Sequence, residues 1–134
     1  MLVVDVSVVA PLLLPDEPEL TGAAADAIAL GPLFAPAHWP LELVNMLHVA
    51  ERRRRITRPA RQEAIAYARS LPVLVQADSG GHVWTDCSRL ADLHRLTIYD
   101  AAYLELAIRL GASLATRDGD LMDAARAENV PVLT

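Results

Sequence analysis

Leu2-Val3-Val4-Asp5-Val6-Ser7-Val8-Val9-Ala10 is the stretch whose reading decides the fold. Leu2-Val3-Val4 is a short apolar run rich in β-branched residues and reads as a buried strand ending at Asp5. Ser7 then opens an apolar helical turn that Pro15 closes. Asp5 stands in surroundings that exclude water, where an ionised carboxylate costs several kcal/mol or shifts its pKa unless a partner compensates. Capping the following helix is the structural explanation for this acid, although Ser7 could cap without burying a charge.

Outward from that unit, strand and helix signals alternate. A helix is expected from Glu19 to Leu30, stopped by Gly31-Pro32, then a short strand at Leu33-Phe34-Ala35. Pro40 suits the first turn of a helix running to Arg55, and Thr57 to Ser70 reads as another. Val73-Leu74-Val75 is a strand and Ser79-Gly80-Gly81 a loop. From His82 to Leu96, Val83, Trp84, Cys87, Leu90 and Ala91 recur at helical spacing. A helix from Ile98 to Leu110 ends at Gly111, Ser113-Leu114-Ala115 is a strand, Asp118 to Ala127 a helix, and Val130 to Leu133 a last strand. The alternation predicts one α/β domain over residues 1–134, with a central, mostly parallel sheet of about 4–5 strands flanked by helices. Ligands in such sheets bind beyond the carboxyl ends of the strands.

Composition agrees. Of 134 residues, 53% are apolar but only 4% aromatic, so the core must be built from Ala, Leu, Val and Ile. A net charge of −5 gives no overall attraction for a polyanion, so any nucleic acid must be drawn in by local groups or bound cations. The single cysteine, Cys87, excludes an internal disulfide and reads as core packing. No run approaches the ~18 apolar residues of a membrane span. Asp5 interrupts the apolar N-terminus and no basic residue precedes it, which makes a poor signal peptide. A soluble, cytoplasmic protein without a membrane partner is expected.

Asp5, Glu42, Asp100 and Asp118 are the candidate functional acids. Each of the last three has an ordinary explanation. Glu42 follows Pro40 in a first helical turn, where the helix dipole favours an acid by about 0.3–1 kcal/mol. Asn45, on the same face, could hold a water or phosphate. Thr97-Ile98-Tyr99-Asp100 has the form of a capping box, and Asp118 could be an N-cap with Asp120 and Asp123 behind it. Together they say more. A parallel sheet could point several helix starts to one rim, and two unit charges 4 Å apart repel by ~4 kcal/mol at an effective dielectric of 20. Such a cluster calls for protons or cations, and hard oxygen ligands select Mg²⁺ or Mn²⁺. The histidines His38, His48, His82 and His94 lack close metal-ligand spacing and read as surface or packing residues. Metal-assisted phosphoester hydrolysis follows, with phosphatase and nuclease equally open on chemistry alone.

The chain resembles PIN-domain ribonucleases, and most closely the VapC-type toxins of toxin–antitoxin pairs. The resemblance covers nearly its whole length. It rests on Val3-Val4-Asp5-Val6-Ser7-Val8, Pro40-Leu41-Glu42-Leu43-Val44-Asn45, Tyr99-Asp100-Ala101-Ala102-Tyr103 and Ala115-Thr116-Arg117-Asp118, in that order. It implies a PIN-like fold and catalytic metal ligands at Asp5, Glu42, Asp100 and Asp118, with Asp120 a rival for the last. Ser7, Asn45 and Thr116 would be polar support. It further implies Mg²⁺- or Mn²⁺-dependent endonucleolysis of RNA, a homodimer, and inhibition by a small cognate antitoxin. Val6 departs from the small or polar residue common at its position. The alternatives are a PIN nuclease for RNA processing without an antitoxin, and a non-catalytic RNA- or protein-binding module.

Arg52-Arg53-Arg54-Arg55 is the clearest positive patch. It is read either as the solvated end of a helix or as a contact for RNA phosphates. Arg117, beside a proposed ligand, is a further candidate for phosphate.

Overall fold

The computed structural model describes residues 1–134. Strand β1 is Leu2–Val4, and none of its three residues is more than 5% exposed. Helix α1 (Val6–Leu13) follows without a loop, because Asp5 itself is the N-cap and accepts from the Ser7 and Val8 amides. The capping role given little weight in the sequence is therefore present, and Ser7 is left free for other bonds. Helix α2 (Gly22–Leu30) starts three residues later than expected, after Pro18, and ends at Gly31 ahead of β2 (Leu33–Pro36).

Helix α3 (Trp39–Arg52) carries Pro40 in its first turn. It ends at Arg52 rather than Arg55, with Arg54 in the left-handed region at φ 59°. Helix α4 (Arg58–Ser70) is capped by the Thr57 hydroxyl, which accepts from the Ala60 amide. It leads to β3 (Val73–Gln76).

One expected helix, His82 to Leu96, is two pieces. Residues His82–Trp84 form a single 3₁₀ turn, and α5 spans Asp86–His94. The Asp78 carboxylate accepts from the His82 amide at 2.8 Å and the Val83 amide at 3.0 Å, which winds this turn about its own cap. Trp84 is 86% exposed, so its helical spacing with Cys87 did not signal burial. Cys87 itself lies in the core.

Helix α6 (Ile98–Leu110) matches its expected bounds and ends at Gly111, whose φ of 60° suits a residue without a β-carbon. Strand β4 (Ser113–Ala115), helix α7 (Gly119–Ala127) and the two-residue β5 (Val132–Leu133) complete the chain.

The five strands pair in parallel throughout, in the order β3-β2-β1-β4-β5. Strand order runs one way from β1 to β3 and reverses at β4. The switch point, where a crevice opens in sheets of this kind, falls between β1 and β4. Helix α6 lies over it, packed on β1, β2 and β4 and buried without a break from Ala101 to Ala107. A helix apolar on nearly all sides is a core element, and this one carries Asp100 at its solvent end.

Candidate functional site

Asp5 leaves the end of β1 only 6% exposed, and its two oxygens are held separately. Oδ1 accepts from the Ser7 amide at 2.7 Å and from the Ser7 hydroxyl. Oδ2 accepts from the hydroxyl of Thr116, which is fully buried just past β4. Both hydroxyls are themselves anchored on the β4–α7 connection: the Arg117 amide donates to Ser7 Oγ at 2.8 Å and the Asp118 amide to Thr116 Oγ1 at 3.0 Å. Burial nevertheless pushes the Asp5 carboxyl above its ordinary range, against the hydroxyls of Ser7 and Thr116 and the amides of Ser7 and Val8.

Glu42 is half-buried in the first turn of α3. Burial would raise its pKa, but His38 and the Tyr103 hydroxyl more than offset this and the carboxyl lies below its usual value. The Tyr103 hydroxyl donates to Glu42 Oε2 at 2.8 Å. His38 Nε2 stands 3.4 Å from the same oxygen, one helical turn before Glu42, and is buried without an aligned hydrogen-bond partner.

Asp100 occupies the first turn of α6. The Thr97 hydroxyl accepts from the Asp100 amide at 3.1 Å, but the reciprocal half of a capping box, from the Thr97 amide to the Asp100 carboxyl, is not formed. Burial pushes the Asp100 carboxyl up, Thr97 opposes, and the charges of Asp118 and Glu42 add to the rise. Asp118 caps α7 through the Leu121 amide at 2.8 Å, using Oδ1 alone. Its charge is among those acting on Asp100; Asp120 lies in the first turn of α7, and both aspartates are exposed.

These acids come from four separate segments, and two of them, Glu42 and Asp100, line one hollow. A hollow of about 520 Å³ is lined by His38, Leu41, Glu42, Asn45, Thr97, Tyr99 and Asp100. The buried Tyr103 phenol lies behind Glu42, and burial, with the charges of Glu42, Asp5 and Asp100, holds it protonated. Tyr99, 64% exposed, forms part of the wall and faces His38 with ring centres 5.5 Å apart. No three of the four acids bring carboxylate oxygens all within 4.8 Å of one another. The donors are hard oxygens, Glu42 Oε1 accepts no protein hydrogen bond, and the mutual repulsion at Asp100 is what a cation would relieve. On these grounds the residues fit Mg²⁺ or Mn²⁺.

Other candidates lie differently. Arg52, Arg53 and Arg54 are exposed. Arg55 is engaged within the chain, binding Asp16 at 2.7 and 2.9 Å and Glu17 at 2.9 Å. The Arg117 guanidinium donates to the Pro18 and Glu19 carbonyls, away from Asp118.

His38 and Tyr103 were missed in the sequence. The available signal was positional: four residues before Glu42 and three after Asp100, each on the helical face of an acid. His82 had been set aside for want of spacing, yet it meets Asp86 at 3.2 Å and Glu105 of α6 at 3.5 Å. That contact depends on two helices meeting, which spacing alone cannot reveal. Arg109 donates to both Glu105 oxygens, at 2.8 and 3.3 Å, and already neutralises this group.

The parallel sheet and the acidic groove at its strand ends define an α/β domain with a polar site at a topological switch point. The chain belongs to the PIN domain family, whose family model matches residues 2–127. Its fold is similar to that of PAE2754 from Pyrobaculum aerophilum, with a TM-score of 0.70 and 24% identity over 92% of this chain and 83% of that one. FitAcB from Neisseria gonorrhoeae gives a TM-score of 0.70 at 17% identity, over 100% and 97% of the two chains. VapC20 of Mycobacterium tuberculosis, described as a Sarcin-Ricin loop cleaving toxin, gives 0.67 at 22% identity over 92% and 95%. No curated protein sequence matches the chain. No helix is long and apolar enough to cross a membrane.

Proposed function

We propose that this protein is a Mg²⁺- or Mn²⁺-dependent endoribonuclease, the toxin of a type II toxin–antitoxin pair. The observation carrying the nuclease reading is that Glu42 and Asp100 line one hollow of a PIN domain, with the charge of Asp118 acting on Asp100 and that of the buried Asp5 on the Tyr103 phenol behind Glu42. Membership of that family and the likeness of fold to a toxin described as cleaving the Sarcin-Ricin loop support the choice of substrate and role. A cognate antitoxin, a homodimer and a cytoplasmic setting belong to the same proposal.

In this reading Asp5, Glu42, Asp100 and Asp118 hold the cation. When bound there, a divalent ion supplies charge neutralisation at a phosphodiester and a lowered pKa for attacking water. The chain's own groups prepare the place. Ser7 and Thr116 fix the two Asp5 oxygens so that their lone pairs keep one orientation, and the Asp118 cap leaves Oδ2 free. Asn45 presents an amide to the groove. No serine or cysteine nucleophile is required, and Cys87, buried with its thiol pushed up to about 11, offers none.

The test is cleavage of structured RNA by antitoxin-free protein with Mn²⁺, beside Asp100→Ala, with fragment ends mapped. Cleavage that survives in Asp100→Ala defeats the reading. Growth arrest on expression, relieved by a small protein encoded next to it, supports the toxin. Harmless expression of active enzyme favours an RNA-processing nuclease instead.

A further inference from the structure

Glu42 has both of its neighbouring polar groups on a single oxygen and leaves the other free. The Tyr103 hydroxyl donates to Oε2 at 2.8 Å and His38 Nε2 lies 3.4 Å from it, while Oε1 accepts nothing from the protein. The partners arrive from different directions. Tyr103 rises from α6, three residues after Asp100, and His38 is the N-cap residue just before α3.

The clamp is rigid. Tyr103 is 0% exposed, and its ring packs edge-on against His38 with centroids 5.1 Å apart. His38 is packed in turn by Tyr99 at 5.5 Å. A glutamate has three side-chain torsions and, at a half-exposed helix start, would ordinarily sample several rotamers. Here its outer oxygen is pinned against two aromatic side chains, and the free oxygen keeps one direction.

We infer that Tyr103, with His38, is a positioning residue that orients Glu42 so that Oε1 is the oxygen offered to a divalent cation. The inference rests on the metal-site reading above. Neither residue touches the reacting atoms: they act through Glu42, Tyr103 by its hydrogen bond and His38 by its ring nitrogen beside the same oxygen, as groups behind a metal-binding carboxylate do. Because Tyr103 spans from Asp100's helix to Glu42's, it also sets the spacing between those two acids. A phenol suits this task better than a cationic partner. It donates one hydrogen bond without competing for the negative charge that a cation needs.

The experiment is calorimetric titration of Mn²⁺ into full-length wild type, Tyr103→Phe, His38→Phe and Glu42→Gln, with melting temperatures and RNA cleavage measured across Mn²⁺ concentrations. Tyr103→Phe keeps the ring and loses only the hydroxyl. Its Mn²⁺ affinity is expected to fall by about 10- to 100-fold, the usual consequence of removing such a partner. His38→Phe keeps the stacking against Tyr99 and Tyr103 and is expected to weaken Mn²⁺ in the same direction, by less. In both, saturating Mn²⁺ restores the cleavage plateau, which a residue acting on the chemistry itself would not allow.

Mn²⁺ affinity in folded Tyr103→Phe and His38→Phe equal to wild type, with Glu42→Gln weakened, overturns the clamp and leaves the metal site standing. Affinity unchanged in Glu42→Gln as well overturns both. Should Tyr103→Phe fail to fold, His38→Phe decides alone, since it removes the second partner of the same oxygen.

Discussion

Thr116 donates its hydroxyl to Asp5 Oδ2 across 111 residues of chain, joining the end of β4 to the end of β1 at the point where strand order reverses. The same hydroxyl accepts from the Asp118 amide. One buried oxygen therefore fixes the strand pair, the helix start and an acid of the groove. Thr116→Val keeps the shape and removes both bonds, leaving the Asp5 carboxylate and an amide short of a partner. A loss of about 1–3 kcal/mol is expected, read from urea unfolding midpoints at unchanged m-value. Thr116→Ser, which keeps the hydroxyl, should recover most of it. A valine variant as stable as wild type would show that the hydroxyl contributes nothing to holding the switch point.

The raised Asp5 pKa makes a prediction with a definite sign. A carboxyl whose folded-state pKa lies above its unfolded value binds its proton more tightly when folded. Its stabilising contribution is complete below the unfolded value of 3.8 and is lost as pH rises through the folded one. At neutral pH, with divalent ions chelated, the ionised Asp5 is a net cost. Asp5→Asn should melt higher than wild type there, by ~4 °C per kcal/mol recovered, while losing metal-dependent cleavage. The difference should shrink as the pH is lowered through the folded pKa and wild-type Asp5 takes up its proton. A variant that melts lower at neutral pH, with the gap unchanged on acidification, contradicts this.

What the sequence reveals and what it withholds separate along one physical line. Residues 2–5, 98–111 and 113–118 were legible because their signals are local: an apolar run, a capping threonine, a terminal glycine. Asp5 was singled out for the same reason, since an acid following Leu-Val-Val needs a partner wherever it folds. The partners themselves were not legible. Tyr103 reaches Glu42 from a different helix, and Glu105 meets His82 only because α5 and α6 pack together. The break at Thr85 was hidden too, because Val83 and Trp84 continue an apolar spacing that the Asp78 cap overrides. Spacing records what a helix would bury but not whether a competing cap has claimed its first turn.

Glu105 is 6% exposed in the middle of α6, and Arg109 one turn later donates to both its oxygens. Removing one member of a buried pair leaves the other uncompensated, which costs more than the pair contributes. Arg109→Met should therefore destabilise by about 1–3 kcal/mol, scaled down from a fully buried pair because the guanidinium is partly solvated. Glu105→Gln in the same background should restore part of the loss. The double-mutant cycle in thermal unfolding checks it, and additive losses would show that the two side chains are not coupled.

The arginine run divides into two functions that salt can separate. Arg52 and Arg53 are exposed where α3 ends, whereas Arg55 is tied to Asp16 and Glu17 in the segment between α1 and α2. If the exposed pair meets RNA phosphates, each replacement by alanine lowers the slope of log K against log salt by about 0.7, the single-strand value, because one fewer counterion is released. Affinity falls across all RNA sequences together, since a phosphate contact carries no base information. Arg55→Ala should instead leave the slope in place and lower the melting temperature, because what it loses is the link between the residues after α1 and the end of α3. RNA binding by filter retention at several salt concentrations distinguishes the two. A slope that drops with Arg55→Ala but not with Arg52→Ala would place the phosphate contact on the residue that the ion pairs here hold back.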